Sequence, residues 1–332
     1  MEAGWNVDAD TRLDFQDSHY REGSACLQTG SGFFRAQSRP SRDLSVLLAA
    51  YQASRAKGPQ HWLDLMAGCG IRGLRWGLES APQTPHPLEL WLNDADPERM
   101  DHLQANLKPL SGHAGVDLML TQQPAERLLR QAYLDQRRFD LIDLDAFGCP
   151  NGLLQSVLSV LRFGGVLILA STDGRSPTGH DRLAAVRRFA AAARAHPSSW
   201  ELALRLQLAA LAREAWMLGR GLEPLACFSD GRTFRLAVRL HRRVASNEEG
   251  NLGLLARCEH CGDQTVQPVL KLSGLRACAC LPDTGRWAVS GPLWLGPLQS
   301  PALLQELLTL SEAMPQTLTA PSRRLLERLQ GD

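Results

Sequence analysis

Between residues 61 and 171 the chain alternates short apolar runs with amphipathic segments, and no other feature narrows its possible folds as far. The runs at 61–67, 88–93, 116–120, 139–144 and 165–171 are of strand length. The segments between them, 71–79, 97–107, 124–136 and 151–161, carry helical apolar spacing. Strands separated by helices pair in parallel, because each helix carries the chain back across a face of the sheet. Two further helices are predicted at 182–195 and 201–218. An antiparallel pair then follows at 224–228 and 233–240, closed by the turn Ser229-Asp-Gly-Arg232. The expectation is an α/β sheet with five parallel strands and an antiparallel finish, covered by helices on both faces.

Residues 1–40 are polar and irregular, with strand-like pieces at 25–28 and 32–34. Pro40 leads into a helix over 41–51 capped by Ser41. Beyond a linker-like stretch at 247–253 come clustered cysteines, a Pro- and Gly-rich segment at 291–297 and helical patterns at 301–313 and 321–329. A chain of 332 residues exceeds one small core. The predicted division is an N-terminal segment 1–40 packing on the catalytic domain, a main domain 41–245 and a small C-terminal domain 250–332.

The net charge of +1 gives no global attraction to nucleic acid. From 181 to 243, however, twelve Arg stand against five acids, which reads either as a phosphate-facing surface or as solvated helix faces. No apolar run spans a bilayer, and the first residues lack the basic start and apolar segment of a signal peptide. The expected compartment is therefore cytoplasmic, with thiols reduced.

Gly68-Cys-Gly-Ile-Arg-Gly73 follows the first strand and opens the first helix, where Gly68 and Gly70 let the backbone approach a nucleotide-like cofactor. The spacing fits a dinucleotide as well, and Asp94 at the end of the second strand suits ribose hydroxyls under either reading. Asp64 separates the two. A carboxylate there repels a pyrophosphate resting on the helix N-terminus, whereas S-adenosylmethionine brings an ammonium and a sulfonium. The methyl donor is the favoured ligand and a nicotinamide cofactor the rival. Asp96 reads as the N-cap of the helix at Pro97.

The fourth strand ends Leu141-Ile-Asp-Leu-Asp145-Ala-Phe147-Gly-Cys-Pro150. Ligands of open α/β sheets bind outside such carboxyl ends. An exocyclic amine conjugated to a ring is a poor nucleophile, so its lone pair must be oriented and its proton accepted. Asp145 as acceptor and Phe147 as stacking plate meet these demands; the plainer alternatives are a helix cap and a core aromatic. Asp143 shares the face of Asp145 but lies deeper, where it needs a structural partner.

Together these segments resemble the tRNA guanine-N2 dimethyltransferases that act on guanine 26 of tRNA. The resemblance covers most of the chain. It is carried by Arg42-Asp-Leu-Ser45, the stretch from Asp64 to Arg75, Asn93-Asp94, residues 139–150 and Gly291-Pro-Leu-Trp-Leu-Gly-Pro-Leu298. It implies a class I S-adenosylmethionine-dependent methyltransferase fold, Rossmann-like with a mixed seven-stranded sheet, and a small C-terminal α+β zinc-containing domain. It further implies that Arg42 and Arg72 contact S-adenosylmethionine, that Asp94 binds its ribose, that Ala125 lies beside its adenine, and that Asp145 and Phe147 form the guanine pocket. The reaction implied is methylation of N2 of a tRNA guanine, at position 26, to N2-methyl- or N2,N2-dimethylguanosine. The tRNA body would be held by the arginine-rich region and the C-terminal domain, with no membrane and no protein partner. Ser41, Ala146 and Cys149 depart from the family's Asn, Pro and Ser, and the loop at 174–179 is shorter than the family's. Another RNA guanine, for example in ribosomal RNA, and an inactive RNA-binding homologue are the alternatives.

Cys258-x2-Cys261 and Cys278-x-Cys280, sixteen residues apart, are close to a four-cysteine zinc ribbon, with His260 as a substitute ligand. Four thiolates would close the coordination of a structural Zn2+, so no zinc chemistry is expected.

Overall fold

The computed structural model describes residues 19–30, 32–275, 278, 280 and 286–331; residues 1–18 of the expected N-terminal segment lie outside these. A hairpin of β1 (Tyr20–Glu22) and β2 (Ala25–Leu27) precedes the long helix α1 (Arg39–Ser54). Strands and helices then alternate as β3 (Gln60–Asp64), α2 (Ile71–Arg75), β4 (Leu88–Asp94), α3 (Met100–Asn106), β5 (Val116–Gln122), α4 (Ala125–Leu134), β6 (Phe139–Ala146), α5 (Leu154–Val160) and β7 (Leu161–Ser171). Helices α6 (Arg182–Phe189) and α7 (Ser199–Met217) lead to the antiparallel pair β8 (Gly221–Ser229) and β9 (Phe234–His241).

The seven strands are ordered β5-β4-β3-β6-β7-β9-β8. The chain therefore builds outward from β3 to β5, then resumes on the other side of β3 at β6. Such a reversal opens a crevice at the carboxyl ends of the two central strands. Both faces of the sheet are buried, which is why its central strands read as nearly continuous apolar runs. Trp62, Leu141, Val166 and Ile168 point toward α1 and α2, while Leu63, Ile142, Leu167 and Leu169 point toward α4, α5 and α7. Asp64 and Asp143 are register partners and share the α1 face with Asp145.

Strand β10 (Leu252–Cys258) is the centre of a second sheet, flanked by β11 (Gln264–Pro268) and β12 (Trp287–Trp294). Strand β12 lies on α7, where Arg205 donates to the carbonyls of Trp294 and Gly296 at 2.9 and 3.0 Å. The 291–298 signature is thus a packing element. Helices α8 (Pro301–Ala313) and α9 (Ala320–Gly331) return to α1 and bury Leu304, Leu307 and Leu326 in the same core.

Four expectations differ in detail. Helix α1 starts at Arg39 with Ser38 at its N-cap, so Ser41 lies inside the helix, where its hydroxyl donates to the Ser38 carbonyl at 2.9 Å instead of capping it. Residues 32–34 form no strand, because Phe34 packs edge-on against Tyr20 while Phe33 faces solvent, and no strand partners them. Helix α2 widens into a π turn over Trp76–Ser80, where the Trp76 indole donates to Ser45 at 3.2 Å and Ser80 to the Val46 carbonyl at 2.8 Å. Helix α6 stops at Phe189 because Ala190 turns left-handed (φ 49°) and Ala192 then bridges to Gly291.

Candidate active site

A cavity of about 390 Å³ opens at the reversal of strand order. One wall is the turn after β3. Gly68 and Gly70 take φ of +58° and +78°, and a Cβ on Gly70 would approach Leu103 Cδ1 to 2.5 Å, so both positions need glycine. At the end of β4, Asp94 accepts from the Gly68 N–H at 2.8 Å and from the Asp96 N–H at 2.9 Å, one on each oxygen. Each oxygen keeps acceptor capacity for the cavity. Asp96 caps the following turn through the Glu98 N–H at 3.0 Å. Ala125, at the start of α4, also lines the cavity.

Arg42 and Arg72 line it too, but each is anchored from behind. Arg42 is held by Glu22 at 2.6 Å and by the carbonyls of Arg35 and Ala36. Arg72 reaches Asp143 at 2.7 Å and Asp145 at 3.1 Å. Asp143 thereby has the structural partner that its depth demands.

Asp64 and Gly70 stand behind the cavity wall. Asp64 is fully buried and accepts from the Gly73 N–H at 3.2 Å, in the first turn of α2. A carboxylate already occupies the helix N-terminus on which a pyrophosphate would rest, which argues against a dinucleotide there. Burial pushes Asp64 up to about 6, against the pull of Arg72.

On the other wall, the hydrogen bonds that Asp145 accepts from the described residues all fall on Oδ2: Arg72 at 3.1 Å, and Arg235 at 3.3 and 3.4 Å. Arg235 comes from β9, two strands away. Asp145 pairs with Ala170 and Ala170 with Arg235, so a methyl side chain on β7 lets the guanidinium pass over it. Burial raises the Asp145 carboxyl, but Arg235 and then Arg72 outweigh it and hold the group at about 2. It is a carboxylate at any physiological pH.

Phe147 is 72% exposed, and its ring meets that of Phe33, 63% exposed, edge to face at 5.4 Å. A core-aromatic role is excluded by that exposure. Ala146 is buried as the last residue of β6, and the loop beyond is fixed without a proline. Gly148 donates to Thr172 Oγ1 at 2.6 Å and its carbonyl accepts from the Ser171 hydroxyl and the Thr172 N–H, both at 3.0 Å. Arg235, Thr233 and Phe33 complete this wall and carried no motif in the sequence.

The four clustered cysteines bring their sulfurs within 4.8 Å of one another, Cys258 to Cys280 at 3.7 Å and Cys261 to Cys278 at 3.2 Å. Tetrahedral Zn–S bonds of about 2.3 Å put sulfurs roughly 3.8 Å apart, so the donor set fits zinc. The N–H groups of His260 and Asp263 point at Cys258 and Cys261, each at 3.4 Å, which favours thiolates. Among the twelve arginines of 181–243, Arg188, Arg205, Arg213, Arg220, Arg235 and Arg239 are committed to partners within the fold. The charge excess there overstates the free basic surface. No helix among the described residues is long and apolar enough to cross a membrane.

A family model described as N2,N2-dimethylguanosine tRNA methyltransferase matches residues 19–332. A tRNA (guanine(26)-N(2))-dimethyltransferase of Methanosphaerula palustris is 31% identical over 297 residues, covering 88% of this chain and 72% of that protein. The enzyme of the same name from Thermococcus kodakarensis is 29% identical, over 81% of this chain and 68% of its own length. Trm1 from Pyrococcus horikoshii, solved with S-adenosyl-L-methionine, superposes with a TM-score of 0.77 at 22% identity, covering 95% of this chain and 83% of that one.

Proposed function

The chain belongs to the N2,N2-dimethylguanosine tRNA methyltransferase family, and from that premise we propose that its target is guanine 26 of tRNA, with Asp145 receiving the reacting amine. Its activity is S-adenosylmethionine-dependent dimethylation of a tRNA guanine at N2. The observation that carries the residue assignment is the sharing of one cavity by Asp94 and Gly68 on one side and Asp145 and exposed Phe147 on the other.

When bound, S-adenosylmethionine supplies an electrophilic methyl: the N–C bond forms as the S–C bond breaks, the thioether departs and one proton leaves the amine. Asp94 would hold the ribose hydroxyls, Ala125 would flank the adenine, and Arg42 and Arg72 would contact the donor from the walls they line. Phe147 would stack on the base once it has left its own stack. Asp145, with Oδ2 already engaged, offers Oδ1 to an amine N–H and so turns the lone pair toward the methyl. A carboxylate held at about 2 is a weak base. It suffices here, because a methylated arylamine cation is a strong acid that sheds its proton readily to the carboxylate or to water. After one transfer a single N–H remains for Asp145 to hold, which permits a second.

Zn2+ in the cysteine cluster would join the end of β10 to the segment before β12. The C-terminal sheet and the exposed arginines would contact the tRNA body, whose phosphates supply much of the affinity.

Nucleoside mass spectrometry tests the target. With the methyl donor present, a transcript carrying guanine at position 26 yields N2,N2-dimethylguanosine, and one carrying adenine there yields none. Product from the adenine transcript overturns the position, and absence of product from both overturns the activity.

A further inference from the structure

Two buried donors in the acceptor half of the cavity have nothing to do. Thr233 and Arg235 are each about 5% exposed and line the cavity with Asp145, Phe147 and Thr172. Among the described residues, Thr233 Oγ1 and Arg235 Nε have no hydrogen-bond partner. Buried polar atoms are normally paired, and leaving one empty is costly unless a ligand fills the place.

Their placement is set by the sheet. Two residues apart on the β9 side of the hairpin, they project to one face, the face of Ala170 and Asp145. Thr233 is fixed by the turn before it, where its N–H donates to Asp230 Oδ1 at 2.8 Å and its carbonyl accepts from the Asp230 N–H at 3.3 Å. Arg235 is fixed by its two terminal nitrogens on Asp145 Oδ2, which turns its remaining Nε–H away from that contact.

We propose that Thr233 and Arg235 form a donor pair that reads O6 of the purine whose 2-amine faces Asp145; this rests on the reading of the cavity as a guanine site. The guanine edge presents, in order, the 2-amine, N1–H and O6, that is two donors and then one acceptor. Asp145 supplies the acceptor for the donor end, and the β9 pair supplies donors for the acceptor end. Adenine in the same slot would set its 6-amine against the Arg235 Nε–H, which can only donate, and leave only the Thr233 hydroxyl able to accept from it. Arg235 is at the same time a positioning residue, because it holds the carboxylate that receives the amine.

The test uses the full chain and tRNA transcripts with guanine or 2-aminopurine at the methylated position, since 2-aminopurine keeps the amine but lacks both O6 and the N1 hydrogen. The Thr233 variants separate the O6 part of the difference. Single-turnover methyl transfer by the wild-type protein is much slower on the 2-aminopurine transcript. Thr233→Val, which keeps the shape and loses the hydroxyl, lowers transfer to guanine roughly tenfold or more while changing the 2-aminopurine rate by less than about threefold. Thr233→Ser keeps the hydroxyl and restores the preference. Equal losses by Thr233→Val on both transcripts, or wild-type rates that ignore O6, overturn the proposal. Wild-type failure on the guanine transcript itself would instead overturn the functional reading beneath it. Calorimetric binding of S-adenosylmethionine by each variant reports that the fold is retained.

Discussion

Asp145 is shared by two guanidiniums, and its chemistry follows from that sharing. Burial raises its carboxyl, Arg235 and then Arg72 outweigh that and hold it ionised, and its charge in turn raises the buried acids Asp64 and Asp143. Arg235→Gln removes the stronger opposing charge. The Asp145 pKa then rises, and because the proposed reaction uses the carboxylate, the acid limb of the pH–rate profile is expected to move to higher pH. Single-turnover rates between about pH 4 and pH 8 show this as a loss that is greatest at low pH and shrinks as pH rises, down to the part that the missing O6 donor leaves at every pH; Arg235→Lys restores part of the pH-dependent loss. A loss of the same size at every pH would mean that Arg235 does not hold Asp145 and acts on the base alone. The sequence made Asp145 and Phe147 legible because both sit where a strand ends in a turn. Arg235, Thr233 and Phe33 were not legible, since β9 lies two strands from β6 and residues 32–34 have no periodic pattern. Only the strand order and the small side chain of Ala170 reveal that Arg235 can reach Asp145.

Among the elements, the small C-terminal sheet is the one that the cysteine cluster would hold together. The spacing announced a metal site, and the four sulfurs lie within 4.8 Å of one another, close enough to share one tetrahedral ion. A strong chelator, or Cys258→Ser, is expected to release one Zn2+ per chain and to lower the melting temperature by several degrees. The affinity for S-adenosylmethionine should hold, because none of the residues lining the cavity comes from β10, β11 or β12. Metal analysis and calorimetry on the same sample read both; a chain that binds no zinc as purified from zinc-containing medium would refute the site. The strands of the main sheet were legible because apolar runs of five to seven residues separated by helical spacing admit few other readings. The end of α6 was not, because the alanines after Phe189 suit a helix equally well and a bridge to Gly291 decides against it.

In the molecule as a whole, one buried charge network joins both ends of the described chain to α1 and α2. Arg75 meets Glu22 at 2.7 Å, Asp43 at 2.6 Å and Glu79 at 2.8 Å, all fully buried. Asp43 also accepts from the Ser322 hydroxyl, and Glu79 from the Thr317 hydroxyl, both at 2.6 Å. The first turn of α9 and the segment before it are thereby fastened to α1 and to the turn after α2, and Glu22 carries the connection on to Arg42 at the cavity. Asp43→Ala leaves Arg75 paired with Glu22 and Glu79 but takes the acceptor from the buried Ser322 hydroxyl and the Thr319 N–H, and should cost about 1–3 kcal/mol in urea denaturation. A cost below about 1 kcal/mol would mean that apolar packing of α8 and α9 suffices without the network. Conversion of Asp145 to asparagine tests the central claim most directly. It preserves shape and removes the charge, so transfer of a tritiated methyl group to unmodified tRNA should fall by about 100-fold or more while S-adenosylmethionine still binds. Full methyl transfer by Asp145→Asn would contradict the assignment of this carboxylate to the reacting amine.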